Sequence, residues 1–225
     1  MKLDVLGLAT ISVLEEARML IKQREPKFEI EDIPEEDERA LKLINDGMTA
    51  GLFQVSAKPL TELCKQMGIS CFEHLNAALA LVRPGPSESG MTEEYVKRKN
   101  GEHWDKIHPI YEDITKYTYG ELVYQEQVSQ VISRMAGMSE ADADSVRRVI
   151  GKKRDPAEFE PYKKQFIEGC AKQKTFNRKE AEQFWEGLLH WSRYGFNRSH
   201  STAYALIAYR TAYLKAHYPV EFLCA

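Results

Sequence analysis

Between Tyr194 and Tyr204 the chain reads Tyr-Gly-Phe-Asn-Arg-Ser-His-Ser-Thr-Ala-Tyr, eleven residues that join aromatics, a glycine, an amide, a cation, hydroxyls and one histidine. Gly195 lets the backbone turn where a side chain would strain it. Asn197 and Ser199 are both suited to cap a helix that follows. Arg198 and His200 then fall at its N-terminal end, where free backbone N–H groups and the helix dipole favour an anion. A molecule that carries both phosphate and base fits such chemistry. The alternative is a surface loop between two packed helices.

A second cluster carries the same chemistry. Arg147-Arg148 is followed by Lys152-Lys153-Arg154, five cations in eight residues of a chain whose formal net charge is −3. Guanidinium forks bind phosphate oxygens in pairs, and ammonium groups add compact positive charge. On a helix Arg148 and Lys152 share a face. A solvated basic helix end would look alike. Arg83 and the run Lys97-Arg98-Lys99 are further local cations of the kind that meet nucleic-acid phosphates, contacts that position a nucleic acid without reading it. For 97–99 a solvated charged face explains the residues equally well.

The elements that must hold these groups are read from periodicity. Ile11, Leu14, Leu20 and Ile21 suit an amphipathic helix over 10–24. The acidic connector after it places Pro34 as a first helical residue. Ser70-Cys71-Phe72-Glu73 matches a capping box ahead of a helix over 75–82, and Asn177-Arg178-Lys179-Glu180 matches another that opens a helix to about residue 190. Arg83-Pro84-Gly85-Pro86 breaks the first of these. Gly137 separates two helical stretches, with Ser139 as a cap. The last long helix runs from Ser199 to about His217 and stops before Pro219. Residues 49–55 and 121–124 are short extended candidates. The fold class is therefore mainly α, with many helices and one or two short strands.

Composition sets the outer limits. With 43% hydrophobic and 29% charged residues the chain is an ordinary globular protein, and its small negative charge confines any DNA contact to local basic patches. Cys64, Cys71, Cys170 and Cys224 form no C-x-x-C pair, which argues against zinc and suits a reducing cytoplasm. No apolar run reaches the roughly 20 residues a membrane-spanning helix needs. The dense motif at Met1 and the apolar run that ends at Ala225 suggest a segment of a longer protein.

Taken in order, seven motifs resemble one family. They are Lys2-Leu3-Asp4-Val5-Leu6-Gly7-Leu8, Gly51-Leu52-Phe53-Gln54, Arg83-Pro84-Gly85-Pro86 with Ser89-Gly90-Met91, Tyr124-Gln125-Glu126-Gln127, Arg147-Arg148 with Gly151-Lys152-Lys153, the segment 194–204, and Leu214-Lys215-Ala216-His217-Tyr218-Pro219 with Glu221-Phe222. The series is similar to the alpha subunit of bacterial DNA polymerase III, the C-family replicative polymerase.

The resemblance implies that 1–9 are the C-terminal edge of the palm domain and 10–225 the fingers, which grip an incoming dNTP against template–primer DNA. Asp4 then corresponds to one of three aspartates that hold two Mg²⁺ ions about 3.5–4 Å apart. The other two come from an upstream palm motif, and no Asp-x-Asp precedes Asp4 here. Asp142-Ala143-Asp144 has the right spacing but sits beside the arginine pair and is not that motif. The chain alone is therefore expected not to polymerise DNA. Arg147, Arg148, Lys152 and Lys153 would face the triphosphate. Tyr194 would pack near base or sugar, with Asn197 and Arg198 beside the nucleotide and His200 near the ribose C2′. Arg83, Lys97, Arg98 and Lys99 would meet DNA. The full-length protein would meet the sliding clamp and other replisome subunits.

Five positions depart from the family pattern. Arg198 stands where Lys is usual, Ser56-Ala57 where an acid and Ser are usual, Val5 in place of an aromatic and Thr202 in place of Ala. They suggest a divergent member. The competing reading is a non-enzymatic helical module that binds nucleic acid or protein through the same basic patches. It leaves the ordered series of motifs unexplained.

Overall fold

Apolar residues recurring every three to four positions make most of this chain helical. A computed structural model describes residues 7–151, 159–192 and 194–225. Among these there are thirteen α-helices and no extended strand, only one isolated parallel bridge between Tyr124 and Phe196. The chain divides into two units, residues 1–82 with 199–225 and residues 83–198.

The first unit begins with α1 (Ala9–Lys22), which buries Leu14, Ala17 and Ile21, while Ile11 stays exposed. Helix α2 (Glu38–Asn45) is capped by Asp37, whose carboxylate accepts from the Ala40 N–H at 2.8 Å. Pro34 lies in the turn before it and does not open a helix, because Asp37 supplies the better cap. Helices α3 (Lys58–Met67) and α4 (Phe72–Leu81) follow. Helix α4 buries His74, Leu75, Asn76, Ala77, Ala78, Ala80 and Leu81, so it is enclosed on nearly every side. The capping box expected at its start does not form: Cys71 is the N-cap and the Ser70 side chain instead meets His74 Nδ1 at 3.1 Å. Residues 49–55, read as a possible strand, form turns.

In the second unit the Arg83–Pro86 breaker ends α4 as expected and opens a short helix, α5 (Pro84–Glu88), with proline in its first turn, where the missing N–H costs nothing. Then come α6 (Met91–Lys99), α7 (Pro109–Thr115), α8 (Gln125–Ala136), α9 (Glu140–Gly151), α10 (Glu160–Gln173) and α11 (Arg178–Ser192). Gly137, at φ +65°, ends α8, and the Asp142 N–H donates to Ser139 Oγ at 3.1 Å near the start of α9. The Asn177 box forms in both directions, at 3.0 and 2.8 Å. A core of Val128, Val131, Ile132, Met135, Phe166, Phe184, Trp185 and Leu188 joins α8, α10 and α11. It holds the start of α8 in place, and that start carries the site.

The chain re-enters the first unit with α12 (Arg198–His217) and α13 (Pro219–Cys224). Ala205, Ala208, Tyr209, Ala212 and Leu214 of α12 are buried, and the Asn76 amide of α4 donates to Thr202 at 3.0 Å. Leu206 of the same helix is 40% exposed.

One buried acid gives the second unit a pH response. Glu121 pairs with Arg98 at 2.8 Å. Burial nevertheless pushes its carboxyl up to about 7, against the pull of Arg98 and with Glu94 adding repulsion. The folded state thus holds this proton more tightly than the unfolded chain. The stability this group contributes is greatest below the ordinary carboxylate value of 4.5 and is lost as pH rises toward about 7. The loss is on the order of 3 kcal/mol at most, at about 1.4 kcal/mol per pH unit. Glu121→Gln should flatten melting temperature against pH over this window. Parallel profiles for the variant and the parent would reject the assignment.

Candidate functional site

The ends of two segments about seventy residues apart in sequence come together in the second unit through backbone pairing. Phe196 N–H donates to Val123 O at 2.9 Å, and Gln125 N–H donates to Phe196 O at 2.9 Å. Residue 121–124, read as a possible strand, thus contributes one bridge rather than a strand. The bridge sets the start of α8 beside 194–198.

Gln125 ties a third element in. Its Oε1 accepts from Arg147 Nη1 at 2.8 Å, and its Nε2 donates to Gly195 O at 3.1 Å. Gly195 approaches so closely that a Cβ there would lie 3.3 Å from the Gln125 backbone nitrogen. Arg147 otherwise binds Asp144: Nε and Nη2 reach the same oxygen at 2.8 and 2.7 Å. Arg148 Nε takes the second Asp144 oxygen at 2.7 Å. One carboxylate therefore faces both guanidinium groups, and the bond from Arg147 holds the Asp144 carboxyl below its usual range. The Arg148 side chain remains 68% exposed.

The anion seat expected at the start of α12 already holds a carboxylate. Glu126 accepts from the Asn197 amide at 3.2 Å and from the Arg198 N–H at 3.2 and 3.1 Å. The Arg198 guanidinium lies 5.5 Å from the Tyr124 ring centre. Glu126, Asn197, Asp144 and Arg147 all line one cleft of about 610 Å³, with Ser129, Ser133 and Arg134 on its walls. Two positions named from sequence, Arg147 and Asn197, thus share a cleft.

Tyr194 lies against α5: a Cβ on Gly85 would come within 2.7 Å of its ring, so this contact requires glycine. Its ring meets His190 edge-on at 5.9 Å. Arg83 donates to Tyr194 O at 2.7 Å and stacks 4.5 Å from the Phe196 ring centre. Burial lowers the proton affinity of its guanidinium. Arg83 therefore braces the 194–196 backbone. Lys97 pairs with Glu94, and Arg98 with Glu94 and Glu121. Lys99 closes the last turn of α6. His200 belongs to the first unit, where its ring lies 4.2 Å from that of Tyr204, which in turn meets Phe53. Asp4, Lys152 and Lys153 lie outside the described residues.

Sequence reasoning passed over three residues here. Gln125 and Glu126 take no role from the sequence beyond the Tyr124–Gln127 motif, and Asp144 none beyond a spacing that does not belong to the metal motif. The i, i+3 and i+4 spacing of Asp144 to the two arginines was a readable signal. No local pattern announces the contact of Glu126 with residue 198.

Residues 10–174 match the family described as the bacterial DNA polymerase III alpha subunit finger domain. The chain belongs to this family. Among curated relatives, a DNA polymerase III subunit alpha from Campylobacter jejuni is 43% identical over 100% of this chain. Its counterpart in Aquifex aeolicus is 39% identical over 99% of the chain. One from Helicobacter pylori is 40% identical over the whole chain. The chain spans about a fifth of the length of these polymerase subunits, 19%, 19% and 18% respectively. Helices α1 to α10 carry the match to the finger domain, and the 194–204 segment lies beyond it.

Proposed function

We propose that this chain is the part of a DNA polymerase III alpha subunit that receives the triphosphate of an incoming dNTP against template–primer DNA. The observation that carries this reading is the single cleft shared by Arg147 and Asn197, with Gln125 joining Arg147 to the 194–196 backbone. A triphosphate there replaces Asp144 as the partner of the two arginines and Glu126 as the partner of the Arg198 N–H. The site then exchanges two protein carboxylates for phosphate oxygens, with the cations already drawn together. Positive groups placed where phosphate charge builds during transfer stabilise that charge. On the same reading Tyr194 packs near base or sugar, His200 stands beside the ribose, and Arg83, Lys97, Arg98 and Lys99 face DNA. Lys152 and Lys153 add to the triphosphate cradle.

In the larger protein Mg²⁺ would activate the primer hydroxyl and neutralise the triphosphate. Among the described residues no group of three or more His, Cys, Asp or Glu is placed to hold a metal ion. The carboxylates that would do so are Asp4 and two aspartates of the larger protein. The clamp and other replisome subunits would be partners of that larger protein. Among the described residues no helix is long and apolar enough to cross a membrane.

Hydrogen exchange tests the reading. A dNTP added with primer–template should slow exchange at 125–126, 147–148 and 197–198, an effect that weakens with salt. Protection by duplex DNA that dNTP leaves unchanged would favour the non-enzymatic module instead. The exchange of carboxylates has its own test. Glu126→Gln removes the charge that competes for the start of α12 and should lower the dNTP KM about two- to fivefold, the worth of one charge at a helix terminus. A raised KM would mean that the carboxylate serves the bound state.

A further inference from the structure

We infer that Gln125 is a positioning residue for nucleotide binding, one that sets the Arg147 fork relative to the 194–197 segment. The inference rests on the proposed dNTP site and adds a residue to it. Arg147 approaches this segment from α9, a helix with no backbone pairing to it. Among the described residues its Nη1 is aimed by one neutral acceptor, Gln125 Oε1, at 2.8 Å. The other end of the same amide donates to Gly195 O at 3.1 Å, and the Gln125 backbone N–H donates to Phe196 O at 2.9 Å. Gln125 therefore joins Arg147, which lines the cleft, to the 195–196 backbone that leads into Asn197, with three hydrogen bonds. It is also the first residue of α8, where the bridge to Phe196 fixes its backbone.

The chemistry of the amide suits this role. A carboxylate at 125 would accept from Arg147 but repel the Gly195 carbonyl. An amide accepts at one end and donates at the other, so it spans a guanidinium and a carbonyl without adding charge. It also leaves the positive charge of Arg147 uncancelled, where a carboxylate would partly neutralise it before phosphate arrives. Asp144, by contrast, binds the arginines with full charge and must give way. The fork thus keeps one permanent neutral anchor and one exchangeable charged partner.

Steady-state kinetics in a full-length polymerase III alpha subunit bearing this segment separates the possibilities. Gln125→Met keeps the volume and loses both side-chain bonds. It should raise dNTP KM about tenfold, the worth of a hydrogen bond to a charged group, with kcat for a saturating dNTP little changed. In an Arg147→Ala background the same change should raise KM less than about twofold, because the group it positions is gone. Gln125→Glu keeps the Arg147 anchor but loses the Gly195 bond and cancels part of the fork's charge, so it should raise KM less than Gln125→Met does, about threefold. Should Arg147→Ala itself leave dNTP KM unchanged, the nucleotide site is misassigned. An effect of Arg147→Ala to which Gln125→Met adds in full would instead overturn only the positioning role. So would equal losses in the Met and Glu variants. Melting temperatures report whether each variant folds, and the Glu variant carries the test if the Met variant does not.

Discussion

Replacing Arg147 and Arg148 together by Ala should lower kcat/KM for dNTP by about 10² to 10⁴-fold in the full-length polymerase. Each guanidinium offers charge-assisted hydrogen bonds worth about 1.5–3 kcal/mol to a phosphate, and two such groups act on one ligand. The same change should hardly move stability. Both arginines pair with Asp144 across one helix turn at a surface where Arg148 is largely exposed, and pairs of this kind contribute about 0.3–0.5 kcal/mol. A variant that melts normally and polymerises poorly is therefore the expected outcome, measured by steady-state kinetics beside calorimetry. A double variant with normal KM and normal kcat would remove the triphosphate from this cleft.

The largest effect on stability should come from a residue that touches no ligand. Gly169 lies inside α10 where that helix crosses α8, and a Cβ there would stand 2.1 Å from the carbonyl oxygen of Ala136. That neighbour is backbone, so no rotamer change relieves the clash. Helix propensity alone favours alanine over glycine by about 1 kcal/mol, so an isolated helix would gain from the change. Here separating α8 from α10 opens the core around Val131, Met135 and Phe166, and overpacking of this kind costs about 1–3 kcal/mol or more. Gly169→Ala should lower the melting temperature by about 2–12 °C for a chain of this size. Trimming Ala136 to Gly should not rescue it, because the clash is with the carbonyl. Unchanged melting would show that the two helices do not meet so closely. The far end of α8 carries Gln125 and Glu126, so a shifted α8 should also raise dNTP KM.

The two variants show which parts of the molecule its sequence exposes. Arg147 and Arg148 announce themselves by type and spacing, and so does the Asn177 box, because both act within one helix turn. The helix ends at Gly137 and before Pro219 were legible for the same local reason. Pro34 and Ser70 misled because a neighbour competed for the role: Asp37 capped α2, and His74 engaged Ser70. The extended look of 49–55 gave way to turns, since no partner strand exists among the described residues to pair it. Gly169 sits in a helix as an unremarkable weak former, and only the approach of α8 makes it necessary. Glu126 and Gln125 belong to the same class. Their roles depend on a pairing across about seventy residues that no periodicity records. The site was therefore legible as a set of cations and opaque as a set of anchors.

The lone bridge between Tyr124 and Phe196 bears on how such a domain can change over time. It clasps the two ends of everything from α8 to α11, so this stretch behaves as a cassette with a fixed doorway. Helices inside it can lengthen, shorten or drift in sequence while the doorway keeps its dimensions. Because Gln125 and Glu126 stand beside the clasp and not deep in the cassette, remodelling of the interior can leave their spacing to Gly195 and Asn197 intact.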